Sequence, residues 1–208
     1  MTRIAYADPA ALSDRTAAAL RAVPPLNVFR LLAVAGDAFP AFPRLTGGLW
    51  NEAELSPRRR ELAILHVARL TGAAYEWHQH VAVARLCDIS DAEIAAIEAG
   101  DVAAFGDEDR ALLEMTAVIV RRERACDEHF AATRRALTDR ELVELHLVVA
   151  IYAGLAGLMT NLDLDLDEQL GAERHDDFGE PPIALLAGQE LDGIADLERV
   201  TCRRCQRL

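Results

Sequence analysis

The chain has 208 residues and a formal net charge of −12 at pH 7, with aromatic residues at only 5%. A chain of this length can bury a sizeable core as one domain, and its richness in alanine and leucine favours helices over sheets. The negative charge argues against nucleic acid as a partner, because phosphate backbones attract clustered cations.

Helical patterns fill most of the chain. In chain order, the predicted helices cover residues 13–23, 27–37, 56–70, 73–87, 90–100, 107–123, 126–137 and 138–160. The segment 44–51, which precedes the helix at 56–70, is assigned no element. Ser56, Ser90 and Thr138 stand at three of the predicted starts, and Ser90 and Thr138 are each followed three residues later by glutamate, as in a capping box. A proline-rich loop is predicted at 39–43, and Thr71-Gly72 ends the helix at 56–70. The sequence therefore predicts an all-α fold.

Two of these helices share a pattern, LSPRRRELAILHVA and LTDRELVELHLVVA. Either an ancestral helical unit was duplicated and its halves pack together, or two amphipathic helices carry ordinary caps. Residues 162–167 alternate leucine and aspartate, which is compatible with an extended segment. We predict a single helical domain over residues 1–170 and a linker and tail over 171–208.

Several function classes are excluded by residue types that are missing. The chain has no lysine, which excludes Schiff-base chemistry and a phosphate-binding P-loop. None of the three serines lies in a GxSxG motif, which argues against a serine hydrolase; they are Ser13, Ser56 and Ser90. No window reaches the roughly 18 uninterrupted apolar residues that span a bilayer, and no signal-peptide pattern is present. We expect a cytoplasmic protein without a membrane partner, with reduced cysteines.

The chemistry-bearing side chains concentrate in residues 56–86, which read SPRRRELAILHVARLTGAAYEWHQHVAVARL. Glu76 and His80 are four apart and therefore share one face of a helix. Glu61 lies one helix earlier and reaches them only if the chain doubles back near Gly72. The arginines at 58–60 are interpreted as a solvated helix face, since acidic residues flank them.

This stretch resembles the carboxymuconolactone decarboxylase family, which includes the alkylhydroperoxidase D-like proteins. The resemblance is carried by Glu61, by YEWHQH at 75–80, and by LCDIS at 86–90 leading into Ile94. The signature covers residues 56–94, with a looser family core at about 27–167. The resemblance implies an alkylhydroperoxidase D-like helical fold, a buried site between two helices, no cofactor, no metal, and assembly into homo-oligomers, as trimers or hexamers.

The peroxidase branch of that family uses a glutamate, a CxxC pair and a histidine. These positions fall here on Glu61, on Ala73 and Glu76, and on His80, so both thiols are missing. A thiolate is the nucleophile that such redox chemistry requires. The resemblance therefore favours the decarboxylase branch, a lyase or isomerase that is similar in using acid–base residues without a cofactor.

We predict decarboxylation or lactone/enol proton transfer on a small organic acid, with His80 as proton donor or acceptor. Glu61 and Glu76 would orient His80, while Tyr75 and Trp77 would line the pocket or brace it.

Two nearby carboxylates would repel an anionic substrate unless one is protonated or paired. One expected arrangement therefore has Glu76 orienting His80 while Arg59 or Arg69 neutralises Glu61.

Three alternatives stay open. Cys202 and Cys205 form a CxxC that would serve a thiol-disulfide reductase or peroxidase if the tail folded over His80. Glu61, Glu76 and His80 would also suit a metal as two carboxylates and one histidine, although the resemblance implies none. Finally, the same cluster would serve a structural role in a non-catalytic helical oligomer that binds a ligand or partner.

Overall fold

The computed structural model describes residues 2–167 of the chain. Over that range it contains nine α-helices, three 3-10 helices and no strand. The α-helices are α1 (Asp14–Arg21), α2 (Asn27–Leu32), α3 (Ala41–Asn51), α4 (Pro57–Thr71), α5 (Ala74–Leu86), α6 (Asp91–Ala99), α7 (Asp107–Arg121), α8 (Asp127–Ala136) and α9 (Asp139–Asn161). The 3-10 helices are Pro9–Ala11, Ala33–Ala38 and Val102–Ala104. The predicted all-α class is confirmed.

The capping residues place the helix starts where the sequence predicts them. The Ser56 side chain accepts a hydrogen bond from the Arg59 amide at the start of α4. Ser90 and Thr138 each form a complete capping box at the starts of α6 and α9. Gly72 ends α4 in the left-handed region at φ 69°, where a residue without a Cβ is unstrained.

The segment around α3 differs from its prediction. The loop expected at residues 39–43 is wrong in its second half, because α3 already begins at Ala41. Pro43 is tolerated there since the first turn of a helix leaves its N–H groups unpaired. The second predicted helix ends early, at Leu32, and continues as the 3-10 helix Ala33–Ala38 with Gly36 at φ 61°.

Helix α4 lies at the centre of the domain. It contacts α5, α6, α7 and α9, and every residue from 60 to 68 is buried. The main core therefore surrounds α4 and includes Leu62, Leu65, Leu112 and Leu145, each with no measurable exposure. Such an all-round burial also carries the charged residues of α4 inside. The two helices of the suspected repeat, α4 and α9, lie side by side, and the duplication itself stays a prediction.

Helix α9 is the one helix in the described range whose length and composition would suffice to cross a membrane. It packs on α4 and α7, and 44% of its most apolar window is buried. Core helices of water-soluble domains have the same composition, and the inner face of α9 is part of the main core. Its outer face exposes Val143 by 60% and Leu147 by 42%.

The segment after α9 forms no regular element over residues 164–167. It is held to α2 by hydrogen bonds from the Asn27 amide to Asp167 and from the Asn27 side chain to the Asp165 carbonyl. The predicted tail at 171–208, with Cys202 and Cys205, lies outside the described residues.

Candidate active site

A pocket of about 150 Å³ lies where α5 and α9 meet the segment from α2 to α3. Its lining is mostly apolar and aromatic, as in many small-molecule sites. The apolar and aromatic lining residues are Pro24, Leu26, Val28, Phe29, Phe42, Trp50, Tyr75, Tyr152, Leu155 and Met159. The polar lining residues are Thr46, Glu76, Gln79 and His80, so polar side chains are concentrated on one turn of α5.

Glu61 and His80 form a hydrogen-bonded pair between α4 and α5. The chain reverses at Gly72, which brings the His80 Nδ1 atom to 2.7 Å from the Glu61 Oε2 atom. Glu61 is fully buried, whereas the His80 side chain keeps 14% exposure where it lines the pocket. With Glu61 as the acceptor, Nδ1 carries the ring hydrogen, and Nε2 is left for a ligand.

Arg60 compensates the charge of Glu61. Its Nε atom lies 3.5 Å from Glu61 Oε1, and both side chains are almost completely buried. The Arg60 guanidinium stacks 4.4 Å from the Trp50 ring centroid and donates a 3.3 Å hydrogen bond to the Trp50 carbonyl. Arg60 thus gives the buried carboxyl group of Glu61 a cationic neighbour, and the Trp50 ring covers the guanidinium.

Two sequence-based expectations about arginine are therefore wrong. Arg60 is only 1% exposed and is not part of a solvated face. Neither Arg59 nor Arg69 neutralises Glu61, because Arg59 pairs with Glu108 and Arg69 donates to the Glu98 carbonyl. Arg59 and Arg60 are consecutive on α4 and point about 100° apart, so their guanidinium groups reach different neighbours.

Glu76 is buried in the pocket wall without a partner. It is 2% exposed, and neither carboxyl oxygen has a hydrogen-bond partner among the described residues. Burial raises the pKa of Glu76 to about 9, so the carboxyl group is neutral at pH 7. The arrangement in which Glu76 orients His80 differs from the structure, where Glu61 makes that hydrogen bond.

Tyr152 belongs to the site although the sequence reading missed it. It lies on α9, its ring meets His80 edge-on at 5.0 Å between centroids, and Trp50 lies 5.8 Å away. Burial and the nearby Glu61 and Glu76 raise the pKa of Tyr152 well above its usual range, so it stays a phenol. The sequence feature that could have indicated it is a single tyrosine within an otherwise apolar helix, because a buried tyrosine hydroxyl usually has a polar partner.

Tyr75 and Trp77 occupy different surroundings. Tyr75 lines the pocket, and its hydroxyl donates a 2.5 Å hydrogen bond to Asp167 Oδ2. Burial and Asp167 raise the pKa of Tyr75 above its usual range. Trp77 is absent from the pocket lining and packs against the main core, because residues two apart on a helix face different sides.

The described residues contain neither a metal cluster nor a thiol pair at this site. Within residues 2–167, no three His, Cys, Asp or Glu side chains converge as metal ligands. The free cysteines of that range are Cys87, which is half-buried, and Cys126, which is exposed. Burial and the charge of Glu61 raise the pKa of the Cys87 thiol to about 11, which disfavours the thiolate.

Residues 36–118 match the model of the Carboxymuconolactone decarboxylase family. The matched range contains Glu61, Glu76 and His80, but it ends before α9 supplies Tyr152. No curated protein matches the sequence.

Two solved structures share the fold. An uncharacterized peroxidase-related protein from Ralstonia eutropha JMP134, described as an alkylhydroperoxidase AhpD core, superposes with a TM-score of 0.70 at 18% identity, covering 80% of this chain and 93% of its own. The second is a protein of unknown function from Agrobacterium tumefaciens, whose description relates it to the antioxidant defence protein AhpD. It superposes with a TM-score of 0.59 at 20% identity, covering 65% of this chain and 94% of its own. The fold is therefore AhpD-like.

Proposed function

We propose that this chain, whose residues 36–118 match the model of the Carboxymuconolactone decarboxylase family and whose helical core is AhpD-like, catalyses cofactor-independent acid–base chemistry on a small organic acid or lactone. The reaction would be proton transfer next to a carbonyl group, with or without loss of carbon dioxide. The protein would thus act as a lyase or isomerase and not as a peroxidase.

The observation that carries this proposal is the hydrogen bond of 2.7 Å between His80 Nδ1 and Glu61 Oε2 at the pocket wall. A histidine whose Nδ1 is held by a buried carboxylate has a defined tautomer and ring orientation. When Nε2 takes up a proton, the resulting imidazolium is stabilised by Glu61. Arg60 lies on the other carboxyl oxygen of Glu61 and adds a second polar contact to the dyad.

For an isomerisation, His80 Nε2 removes a proton from the carbon beside the substrate carbonyl. The C–H electron pair moves into the new double bond, and negative charge collects on the carbonyl oxygen. His80 then returns the proton to another carbon of the enolate, so that the reaction is balanced without a further reactant.

For a decarboxylation, the C–C bond to the carboxylate breaks, carbon dioxide leaves, and the electron pair forms the same type of enolate. The protonated His80 then delivers its proton to carbon and is recharged from solvent. Both reactions need the same dyad and the same place for the developing negative charge.

The thiol chemistry of the family has less support in this site. Ala73 and Glu76 stand at the positions that correspond to the CxxC pair by resemblance, and the raised pKa of Cys87 makes that thiol a poor nucleophile. A peroxidase would therefore depend on Cys202 and Cys205, which lie outside the described residues.

The experiment follows solvent deuterium into a panel of small lactones and β-keto acids by NMR, together with release of carbon dioxide. We expect wild-type protein to exchange or decarboxylate at least one member. His80→Ala should lower that rate by at least about 100-fold, since a positioned acid–base group contributes that much or more. Glu61→Gln should lower it less, because the histidine remains but loses its orientation and its counter-charge.

The matched control is His146→Gln, which changes an exposed histidine on α9 whose Nδ1 contacts the Leu142 carbonyl. This variant should keep the wild-type rate. Full activity in His80→Ala would overturn the proposal, and so would peroxide consumption that disappears when Cys202 and Cys205 are replaced and proceeds unchanged in His80→Ala.

A further inference from the structure

The buried charges of the site do not balance if Glu76 is ionised. Arg60 is the one cation among the nearly fully buried residues of the described chain, while two carboxyl groups, Glu61 and Glu76, are buried beside the pocket. Arg60 and His80 both contact Glu61, and neither contacts Glu76. An unpaired buried carboxylate is costly, whereas a neutral carboxyl group is much less so. The geometry therefore favours a protonated Glu76.

A protonated carboxyl group is a hydrogen-bond donor, and Glu76 is one of the residues lining the pocket. Both of its oxygens are buried and without partners among residues 2–167, so the donor is not used within the described protein. A buried donor that makes no internal hydrogen bond costs stability. A ligand with an acceptor oxygen would accept this hydrogen bond and restore the lost stability.

The remaining lining of the pocket restricts what this acceptor belongs to. No arginine lines the pocket in the described range, and the chain contains no lysine. Arg60 is not a lining residue, because it lies behind Glu61 and Trp50. A carboxylate in the pocket would therefore lack a cation other than His80, while its apolar body would suit Phe29, Phe42 and Met159.

We propose that Glu76 donates a hydrogen bond from a neutral carboxyl group to the carbonyl oxygen of an uncharged, largely apolar ligand such as a lactone or enone, and that it thereby selects such ligands over carboxylates. This inference rests on the proposed function in that it takes the pocket beside His80 as the reaction site. It narrows the proposed substrates from organic acids and lactones to uncharged carbonyl compounds.

The role fits the chemistry of enolate formation. Negative charge grows on the carbonyl oxygen as the proton leaves carbon, and a neutral donor at that oxygen stabilises it. Glu76 and His80 are four residues apart on α5, so the donor and the base lie on one face, one helical turn apart. A single carbonyl compound can therefore present its oxygen to Glu76 and its adjacent C–H to His80.

The titratable groups around Glu76 belong to three helices. They are Arg60 and Glu61 on α4, Tyr75 and His80 on α5, and Tyr152 on α9. The lining residues contributed by α2 and α3 are not titratable. Burial places the pKa of Glu76 at about 9, and both tyrosines have raised pKa values. Loss of the Glu76 proton is thus the first titration expected above neutral pH among Glu76 and the two tyrosines.

The test compares three aromatic probes of similar size by isothermal titration calorimetry at pH 7. Phthalide is an uncharged lactone, benzoate is a monoanion, and phthalate is a dianion. We expect phthalide to bind at least about tenfold more tightly than benzoate, and phthalate to bind more weakly still, since each added charge lacks a cation.

Two variants identify Glu76 as the donor. Glu76→Gln keeps an N–H donor of nearly the same shape, so its affinity for phthalide at pH 7 should stay within about threefold of wild type, whereas Glu76→Leu should lose about fivefold to tenfold. Wild-type affinity should fall several-fold towards about pH 9.5 as Glu76 ionises, while that of Glu76→Gln stays level. A merely structural Glu76 would not produce this difference in pH profile.

The proposal is overturned if either anion binds as tightly as phthalide, if phthalide fails to bind at millimolar concentration, or if Glu76→Gln has the pH profile of wild type. Circular dichroism confirms that each variant is folded. Binding requires no turnover, so the two proposals fail separately. Phthalide serves only as a binding probe, because it has no C–H on a carbon beside its carbonyl group. Phthalide binding without deuterium exchange into, or decarboxylation of, any lactone or β-keto acid of the panel would refute the proposed function alone, and exchange on carboxylates with no phthalide binding would refute this inference alone.

Discussion

Glu61 and Glu76 lie on neighbouring helices of one site, and both are almost completely buried, yet their surroundings are opposite. On the α4 side, Glu61 contacts the Arg60 guanidinium and the His80 ring. On the α5 side, Glu76 faces the pocket with no partner among the described residues. The first carboxyl group has a cation and a ring N–H as partners, whereas burial without any partner raises the pKa of the second.

The difference shows how one helical pair can separate two acid–base roles. Residue type and burial are the same at both positions, so the distinction arises from where Arg60 and His80 are placed. Two carboxyl groups in different environments beside one histidine are a frequent basis for acid–base catalysis. Changing either environment should therefore change a measurable property of only one of the two groups.

The largest effect is expected from removing the charge partner of Glu61. Arg60→Met keeps an unbranched side chain against Trp50 but leaves a buried carboxylate without its cation. We expect the free energy of unfolding at pH 7 to fall by about 3–5 kcal/mol, measured by urea denaturation. Arg85→Met is the control, because Arg85 pairs with Asp91 on the surface and is 52% exposed.

The Arg85→Met variant should lose less than about 1 kcal/mol. If Arg60→Met lost as little as this control, Glu61 would not depend on Arg60, and the contrast between the two carboxyl groups would disappear.

The next effect tests the neutral state of Glu76. Its carboxyl group titrates near pH 4.5 in the unfolded chain and near 9 in the folded protein. Between these values the folded protein holds the proton and the unfolded chain has released it, so the free energy of unfolding falls by about 1.4 kcal/mol per pH unit. From pH 6 to pH 8, wild type should lose about 3 kcal/mol that Glu76→Gln does not lose.

Denaturation of both proteins at several pH values measures this difference. The exposed Glu98→Gln serves as control and should follow wild type over the whole range. Parallel pH profiles for wild type and Glu76→Gln would mean that Glu76 is ionised in the folded protein.

The smallest effect is expected from removing the hydrogen bond that links the start of α5 to the segment after α9. Tyr75 donates to Asp167, which also accepts from the Asn27 amide. Tyr75→Phe removes one hydrogen bond to a carboxylate and should lower the free energy of unfolding by about 1.5 kcal/mol, measured by urea denaturation.

Tyr6→Phe is the matched comparison, because Tyr6 donates to Asp165 over 3.2 Å at a less buried position. It should cost less, about 0.5 kcal/mol. Equal losses in the two variants would show that burial adds nothing to the Tyr75 hydrogen bond.

The helices could be predicted because their signals are local. Ser56, Ser90 and Thr138 cap helix starts with side chains that contact amides three residues away, and such contacts depend only on nearby sequence. Helix α3 was missed, in part because Pro43 stands at its third position, where a proline looks the same in a loop and in the first turn of a helix.

The site could be predicted only in part because its contacts cross between helices. The spacing of Glu61, Glu76 and His80 identified the right region, but the choice of Glu61 as the partner of His80 depends on how α4 is rotated against α5. The burial of Arg60 could not be predicted, since arginine is exposed in most proteins. Tyr152 comes from a helix about 70 residues further along the chain, and no local pattern links it to His80.

Trp50 gives this pocket an optical signal of its own. Its indole lines the cavity between the Arg60 guanidinium and Tyr152, while the second tryptophan of the chain, Trp77, packs against the main core. A cation over an indole ring and a change from water to ligand beside it both alter the energy of the excited state. We therefore expect the ultraviolet fluorescence of Trp50 to follow pocket occupancy, while that of Trp77 serves as an internal reference in the unmodified protein.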